Sequence, residues 1–148
     1  MPPPWVRDDR WLPDDERLIV TYTDATQLVA WFSLDVIRQT DEFVGEDIGP
    51  VIRVAYFTVE RHERGKYPTL VKHMICDMIR QAKLADEFTI RAIVIDPLHD
   101  AHGIQRALSK RPEATRLRNY PWPYVIRVSS LAGLEVRYCS DGDNGAFP

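Results

Sequence analysis

A chain of 148 residues with 45% apolar and 28% charged side chains has the size and make-up of one ordinary folded domain, which excludes a largely disordered polypeptide. A formal net charge of -3 and a pI near 5.8 argue against a protein whose main task is coating nucleic acid, a role that calls for a basic surface. No apolar run has the length of a membrane span, and Met1-Pro-Pro-Pro-Trp5 lacks the basic-then-apolar pattern of a secretory leader, so a cytoplasmic protein is expected.

Residues 1–17 are rich in Pro, Asp and Arg, and proline blocks regular structure, so an extended N-terminal arm is predicted there. Trp5 and Trp11 would pin it to the domain or to a partner. Leu18–Tyr22 and Gln27–Leu34 are β-rich and read as a hairpin across Thr23-Asp24-Ala25-Thr26. One helical turn is expected within Ser33–Thr40, and a loop over Asp41–Pro50. Val51–Val59 (VIRVAYFTV) is the near-continuous apolar run of a strand covered on both faces. After a charged loop, Thr69–Ala85 reads as a helix capped by Thr69, with Leu70, Met74, Met78 and Ala82 on one stripe. Lys72, Asp77, Arg80 and Lys83 fill the other side, with His73 on the polar surface.

Phe88–Ile95 is a second buried-type strand, ended by Asp96-Pro97. Ala101–Lys110 reads as a short helix and Pro112–Pro123 as irregular. Tyr124–Ser129 and Leu134–Tyr138 read as two strands joined at Ala132-Gly133, before a polar, flexible tail over 140–148. The domain proper is thus expected over 18–139. Strand, helix and strand over 51–95 form a right-handed crossover with parallel strands, and the hairpins extend it antiparallel. The fold class is α/β (α+β): a mixed, mostly antiparallel sheet around a central parallel βαβ unit. Cys76 and Cys139 show no metal-ligand spacing and read as two reduced thiols.

The junction from Val59 to Thr69 lies between a buried strand and an amphipathic helix, where backbone N–H groups and the helix dipole favour an anion. Arg64 and Lys66 would add charge, and Gly65 would let the backbone approach a phosphate. The plainer alternative is a solvated, charged turn. A second constellation, Asp96, His99, Asp100 and His102, follows the C-terminal end of the second strand. It could serve as acid and base, hold a metal, or simply cap the next helix. Glu60 ends the first strand as a candidate proton acceptor or as a plain strand terminus. Tyr120-Pro-Trp122-Pro-Tyr124 is a stiff aromatic run that could stack on a ligand, mediate self-association or cover a sheet edge. No Walker loop, nucleophile elbow or HExxH helix is present.

Residues 59–69 and the helix after them resemble the cofactor loop of the GCN5-related N-acetyltransferases (GNATs), in which a strand leads into an Arg-Gly-Lys-Gly-x-Gly type turn around the pyrophosphate of acetyl-coenzyme A. This chain keeps Arg64-Gly65-Lys66, with Tyr67 and Thr69 where the family has glycines. The order of elements over about residues 50–128 is similar as well, whereas the family's N-terminal strand and two helices have no obvious counterpart. The resemblance implies acetyl-coenzyme A as cofactor, held by Phe57, Thr58, Val59, Arg64, Gly65, Lys66, Tyr67 and Thr69. It implies Glu60 as base toward an amine on a small molecule or protein. The family's acidic tyrosine is replaced by Ala107 or Leu108, which leaves His102 or a water as acid. The rival reading is a non-catalytic module that uses the same fold for binding, as in a phage or other accessory assembly.

Overall fold

The computed structural model describes residues 5–25, 27–38, 49–60, 65, 68–84, 90–95, 102–117 and 123–139, with the backbone alone for 102 and 103. Its elements are β1 (Val6–Leu12), β2 (Arg17–Asp24), β3 (Gln27–Ile37), β4 (Val51–Val59), α1 (Leu70–Leu84), β5 (Ala92–Ile95), α2 (His102–Leu108), β6 (Ala114–Arg116), β7 (Tyr124–Arg127), a short 3-10 turn (Val128–Ser130) and α3 (Leu131–Cys139). The strands form one sheet in the order β1-β2-β3-β4-β5-β7-β6. Among the described residues β4 and β5 are the parallel neighbours and all other pairings are antiparallel. The mixed sheet around a βαβ crossover is therefore the expected one.

The apolar stripe of α1 lies on one face of this sheet. Leu70, Met74, Ile75, Met78 and Ile79 are all at most 1% exposed and join Ile52, Val54, Phe57 and Ile93 in one core. Ile104 and Leu108 of α2 and Leu131 and Leu134 of α3 complete it. A smaller cluster of Val51, Ala92, Val94 and Val125 marks the opposite face. There Asp35 accepts from Arg17 Nε at 2.6 Å and Arg53 Nη2 at 2.7 Å, and Trp31 stacks on Tyr56 with ring centres 5.0 Å apart.

The extended segment over 6–12 is an edge strand, paired residue for residue with β2 from Val6↔Thr23 to Leu12↔Arg17. Trp5, beside it, is buried. Several other expectations give way. The helical turn expected from Ser33 is strand as far as Ile37, because Ser33 to Asp35 pair with β2 and Ser33 to Ile37 with β4. Leu134–Tyr138 is helix rather than strand. Gly133 lies inside α3, where an added Cβ would come 3.1 Å from Glu113 Oε1, so glycine there serves close packing rather than a turn. Cys76 and Cys139 are joined in a disulfide that ties α3 to α1, not left as thiols. His73 and Asp77, read as surface residues, are 5% and 6% exposed.

Candidate functional site

Among the described residues β4 and β5 run in parallel register from Val51↔Ala92 to Val54↔Ile95. β4 continues for five further residues paired with β3, ending at Val59↔Ala30. This stretch begins at a bulge: Leu34 faces Val54 and Ser33 faces Tyr56, so Ala55 has no opposite residue on β3. A bulge bends and over-twists its strand. The Glu60 N–H donates to Val29 O at 2.8 Å, back toward β3. By the alternation of an antiparallel ladder, the backbone amide of Thr58 also faces β3, and those of Phe57 and Val59 point to the other side of β4. The sequence pattern of β4 drives this: Val54, Phe57 and Val59 lie toward the core and Tyr56 toward the outer face.

From the end of β4 the chain enters the loop toward α1. Gly65 adopts φ +81, a left-handed conformation that glycine takes without strain, and among the described residues no atom lies within 4 Å of an added Cβ. The backbone conformation itself calls for glycine there. Thr69 precedes the first residue of α1, and its carbonyl accepts from the His73 N–H at 3.0 Å, as the residue capping a helix should. The positive end of the α1 dipole lies at Thr69 and Leu70, nine residues after Glu60 in the chain.

The structure places Phe57, Thr58, Val59 and Glu60 in succession at the C-terminal end of β4, with Gly65 and Thr69 on the path into α1. Arg64, Lys66 and Tyr67 lie outside the described residues, as do Asp96, His99, Asp100, Tyr120 and Trp122. His102 is the first residue of α2, and its side chain is likewise not described. Of the two residues near the family's tyrosine position, Leu108 is fully buried and Ala107 borders a cavity. Tyr124 is half-buried on β7, with the Arg116 guanidinium 5.9 Å from its ring centre. Among the described residues no cluster of three or more His, Cys, Asp or Glu could hold a metal, and no helix is long and apolar enough to cross a membrane.

No protein-family model and no curated protein sequence matches the chain. Solved structures do. A bacterial toxin is similar with a TM-score of 0.61 at 15% identity, over 83% of this chain and 74% of that one. AtaTR bound with AcCoA is similar with a TM-score of 0.61 at 10% identity, over 84% of this chain and 76% of that one. A tyrosine-to-phenylalanine mutant of the AtaT toxin, bound to the C-terminus of the antitoxin AtaR, has a TM-score of 0.52 at 15% identity, over 84% of this chain and 73% of that one. The chain has the GNAT fold. At these identities the likeness is one of fold. The GNAT-like core here is extended at its C-terminal end by α3, which lies beyond the part of the sequence that resembles the family.

Sequence reasoning missed two groups of residues. One is a buried polar network in which Arg7, Tyr22 and His73 gather about Asp77. Arg7 Nε and Nη2 donate to the two Asp77 oxygens at 2.5 and 3.0 Å, and Tyr22 donates at 2.6 Å. Burial alone would lower the Arg7 pKa, but its bonds to Asp77 and Asp9 outweigh that and raise it. Burial, aided by Asp77, pushes the Tyr22 phenol far up, and burial lowers the pKa of His73 despite Asp77 nearby. His73 sits edge-on to Trp5, with ring centres 5.4 Å apart. The second group is Arg137 and Tyr138, which α3 brings over α1. The helical spacing of Leu131, Leu134 and Tyr138 was the available signal for it.

Proposed function

We propose that this protein transfers an acyl group from acetyl-coenzyme A to an amine. The observation that supports the proposal is that, among the described residues, β4 pairs with β5 as far as Val54↔Ile95 and runs on to Val59, ahead of the loop into α1. A neighbour of the same fold is bound with AcCoA. In this reading the coenzyme lies against the end of β4, and the amides of Phe57 and Val59 orient the thioester and stabilise the oxyanion formed when the amine attacks. Thr58 lines the strand there. Arg64, Gly65, Lys66, Tyr67 and Thr69 hold the pyrophosphate at the positive end of the helix. Glu60 takes the proton from the attacking amine, and His102 or a water returns one to the departing thiolate. The acceptor is an amine of a small molecule or of a protein. A protein partner resembling an antitoxin segment is part of the same proposal, since one neighbour is a toxin bound to the C-terminus of its antitoxin.

The second reading, a non-catalytic binding module, is favoured by one observation: α2 presents Ala107 and a buried Leu108 where the family has its acid. Melting with and without acetyl-coenzyme A separates the two. At one hundred times its dissociation constant the coenzyme should stabilise the fold by about 2.7 kcal/mol. Mass spectrometry on amine mixtures should then show acetyl transfer by the parent and none by Glu60→Gln, whose coenzyme affinity stays that of the parent. No stabilisation would replace the enzyme with the module.

A further inference from the structure

A cleft of about 450 Å³ lies where α1, α2 and α3 meet, lined by Val71, Lys72 and Ile75 of α1, Ala107 of α2, and Arg137 and Tyr138 of α3. Ala107 stands near the place where the family carries its acidic tyrosine, and an alanine has no proton to give. The same cleft nonetheless contains a phenol. It comes from α3, the helix that extends the chain beyond its family-like part. Two bonds set the course of that helix: Glu135 accepts from Lys83 Nζ at 3.0 Å, near the end of α1, and Cys139 is joined to Cys76 in its middle. The helices therefore run antiparallel, and Tyr138 lies over the first half of α1. It is half-buried and packs, like Ala107, against the main core. Among the described residues its hydroxyl makes no hydrogen bond.

We infer that Tyr138 is the proton donor to the departing thiolate: α3 supplies from one wall of the cleft the phenol that α2 lacks on the other. The inference rests on the acyl-transfer reading above and puts Tyr138 in the place there of His102 or a water. The step balances. Attack of the amine forms the C–N bond and gives Glu60 a proton. Collapse of the intermediate breaks the C–S bond, and the Tyr138 O–H passes its proton to the sulfur as it leaves. The proton held by Glu60 returns through water to the phenolate, and both groups are ready for the next turnover. Three features of the cleft favour this role. The disulfide one residue away holds Tyr138 in place before the ligand arrives, and a catalytic group gains most when its position is fixed in advance. The uncommitted hydroxyl breaks no bond of the fold when it gives up its proton. Lys72 and Arg137 bring positive charge to the walls where negative charge would develop on sulfur.

The test uses the full chain with its disulfide intact. Tyr138→Phe keeps the ring and its packing and removes only the proton. With acetyl-coenzyme A and the amine mixture, its kcat should fall on the order of a hundredfold, the low end for general acid catalysis because a thiolate already leaves well. Its KM for acetyl-coenzyme A and its melting temperature should stay those of the parent. Adding Ala107→Tyr to Tyr138→Phe should restore much of the lost turnover, since the cleft has room for a phenol on its α2 wall; a merely structural role of Tyr138 would produce no such rescue. A second readout needs no amine. Above the ordinary thiol pKa of about 8.5, calorimetry should show the parent binding coenzyme A roughly tenfold more tightly than desulfo-coenzyme A, which lacks the sulfur, as expected for a hydrogen bond to a charged group. Tyr138→Phe should lose that preference. Parent-like kcat in Tyr138→Phe overturns the assignment and leaves the acyl-transfer reading intact, as does a variant that is slow yet keeps the preference for the sulfur. A parent that transfers to no amine and binds neither coenzyme overturns both.

Discussion

Tyr22 on β2 donates its hydroxyl to Asp77 Oδ2 on α1 at 2.6 Å, joining residues 55 positions apart across the sheet-helix boundary. Arg7 from β1 takes the same carboxylate in a two-point contact. One side chain of α1 thus holds the two strands at one edge of the sheet. Removing it strands a buried phenol and a partly buried guanidinium. Asp77→Ala should destabilise the protein by roughly 3–5 kcal/mol, as loss of one member of a buried ion pair does. Tyr22→Phe should cost less, roughly 1–3 kcal/mol. Denaturant unfolding of the single and double variants checks this. The two effects should fall short of additive, because both act on one carboxylate.

His73 gives the same corner a pH dependence. Its pKa is lowered in the folded protein, chiefly by burial, against an unfolded value of about 6.5. Asp77 opposes the shift, and Arg7 and Arg80 support it. Trp5 and Tyr22 pack against the ring without contributing a charge at these pH values. Between its folded and unfolded pKa values the unfolded chain binds the proton and the folded one does not, so stability rises with pH in that window. The contribution is complete above about pH 6.5 and is lost as pH falls toward the folded pKa. Melting of the parent should decline over that range more steeply than melting of His73→Gln. Equal slopes would show that another group governs the decline.

The central part of the fold was legible because its physics is local. The continuous apolar run of β4 and the four-residue stripe of α1 each carry their own signal, and Met74 is fully buried as that stripe requires. The flanks were not legible. β1 has the sequence VRDDRWL, which alternation does not mark as a strand. Its charges suit an edge, where they discourage pairing with another chain. Asp77 and His73 read as surface because they are polar, and what buries them, Trp5, Arg7 and Tyr22, lies more than 50 positions away. α3 was hidden by Gly133, a turn signal in sequence that in the structure lies within a helix, beside the Glu113 side chain. At the site itself the strand end and the loop could be found by motif, whereas the bulge at Ala55 depends on the register with β3, which no single strand encodes.

The disulfide links α1 to α3 across 63 positions, with both sulfurs in nearly buried residues. Its reduction should lower stability by roughly 2–4 kcal/mol. The effect should concentrate on α3, whose other anchors are Leu131, Leu134 and the exposed Lys83–Glu135 pair. Melting with and without a dithiol, with alkylation to count thiols, measures the first. Hydrogen exchange over 131–139 measures the second. Cys139→Ser should reproduce the reduced parent in both. Unchanged exchange in α3 after full reduction would show that packing alone holds it.

The loop before α1 offers the sharpest contrast between cofactor site and plain turn. Arg64 and Lys66 flank a glycine in the left-handed conformation, ahead of the positive end of a 15-residue helix. If the loop cradles a pyrophosphate, Arg64→Ala and Lys66→Ala should each weaken coenzyme A binding by about 1.5–3 kcal/mol, the range for hydrogen bonds to charged groups. Added salt should weaken the parent more than either variant, because fewer charge contacts remain in the variants to be screened. Tyr67→Gly should strengthen binding, since it removes a side chain from the face the phosphates would approach and frees the backbone. Gly65→Ala should weaken binding, because an alanine is strained at a φ of +81. Titration calorimetry on the parent and these four variants reads all of it. A parent that binds no coenzyme, together with a Tyr67→Gly variant that binds none either, would make the loop a plain turn and the fold a binding module.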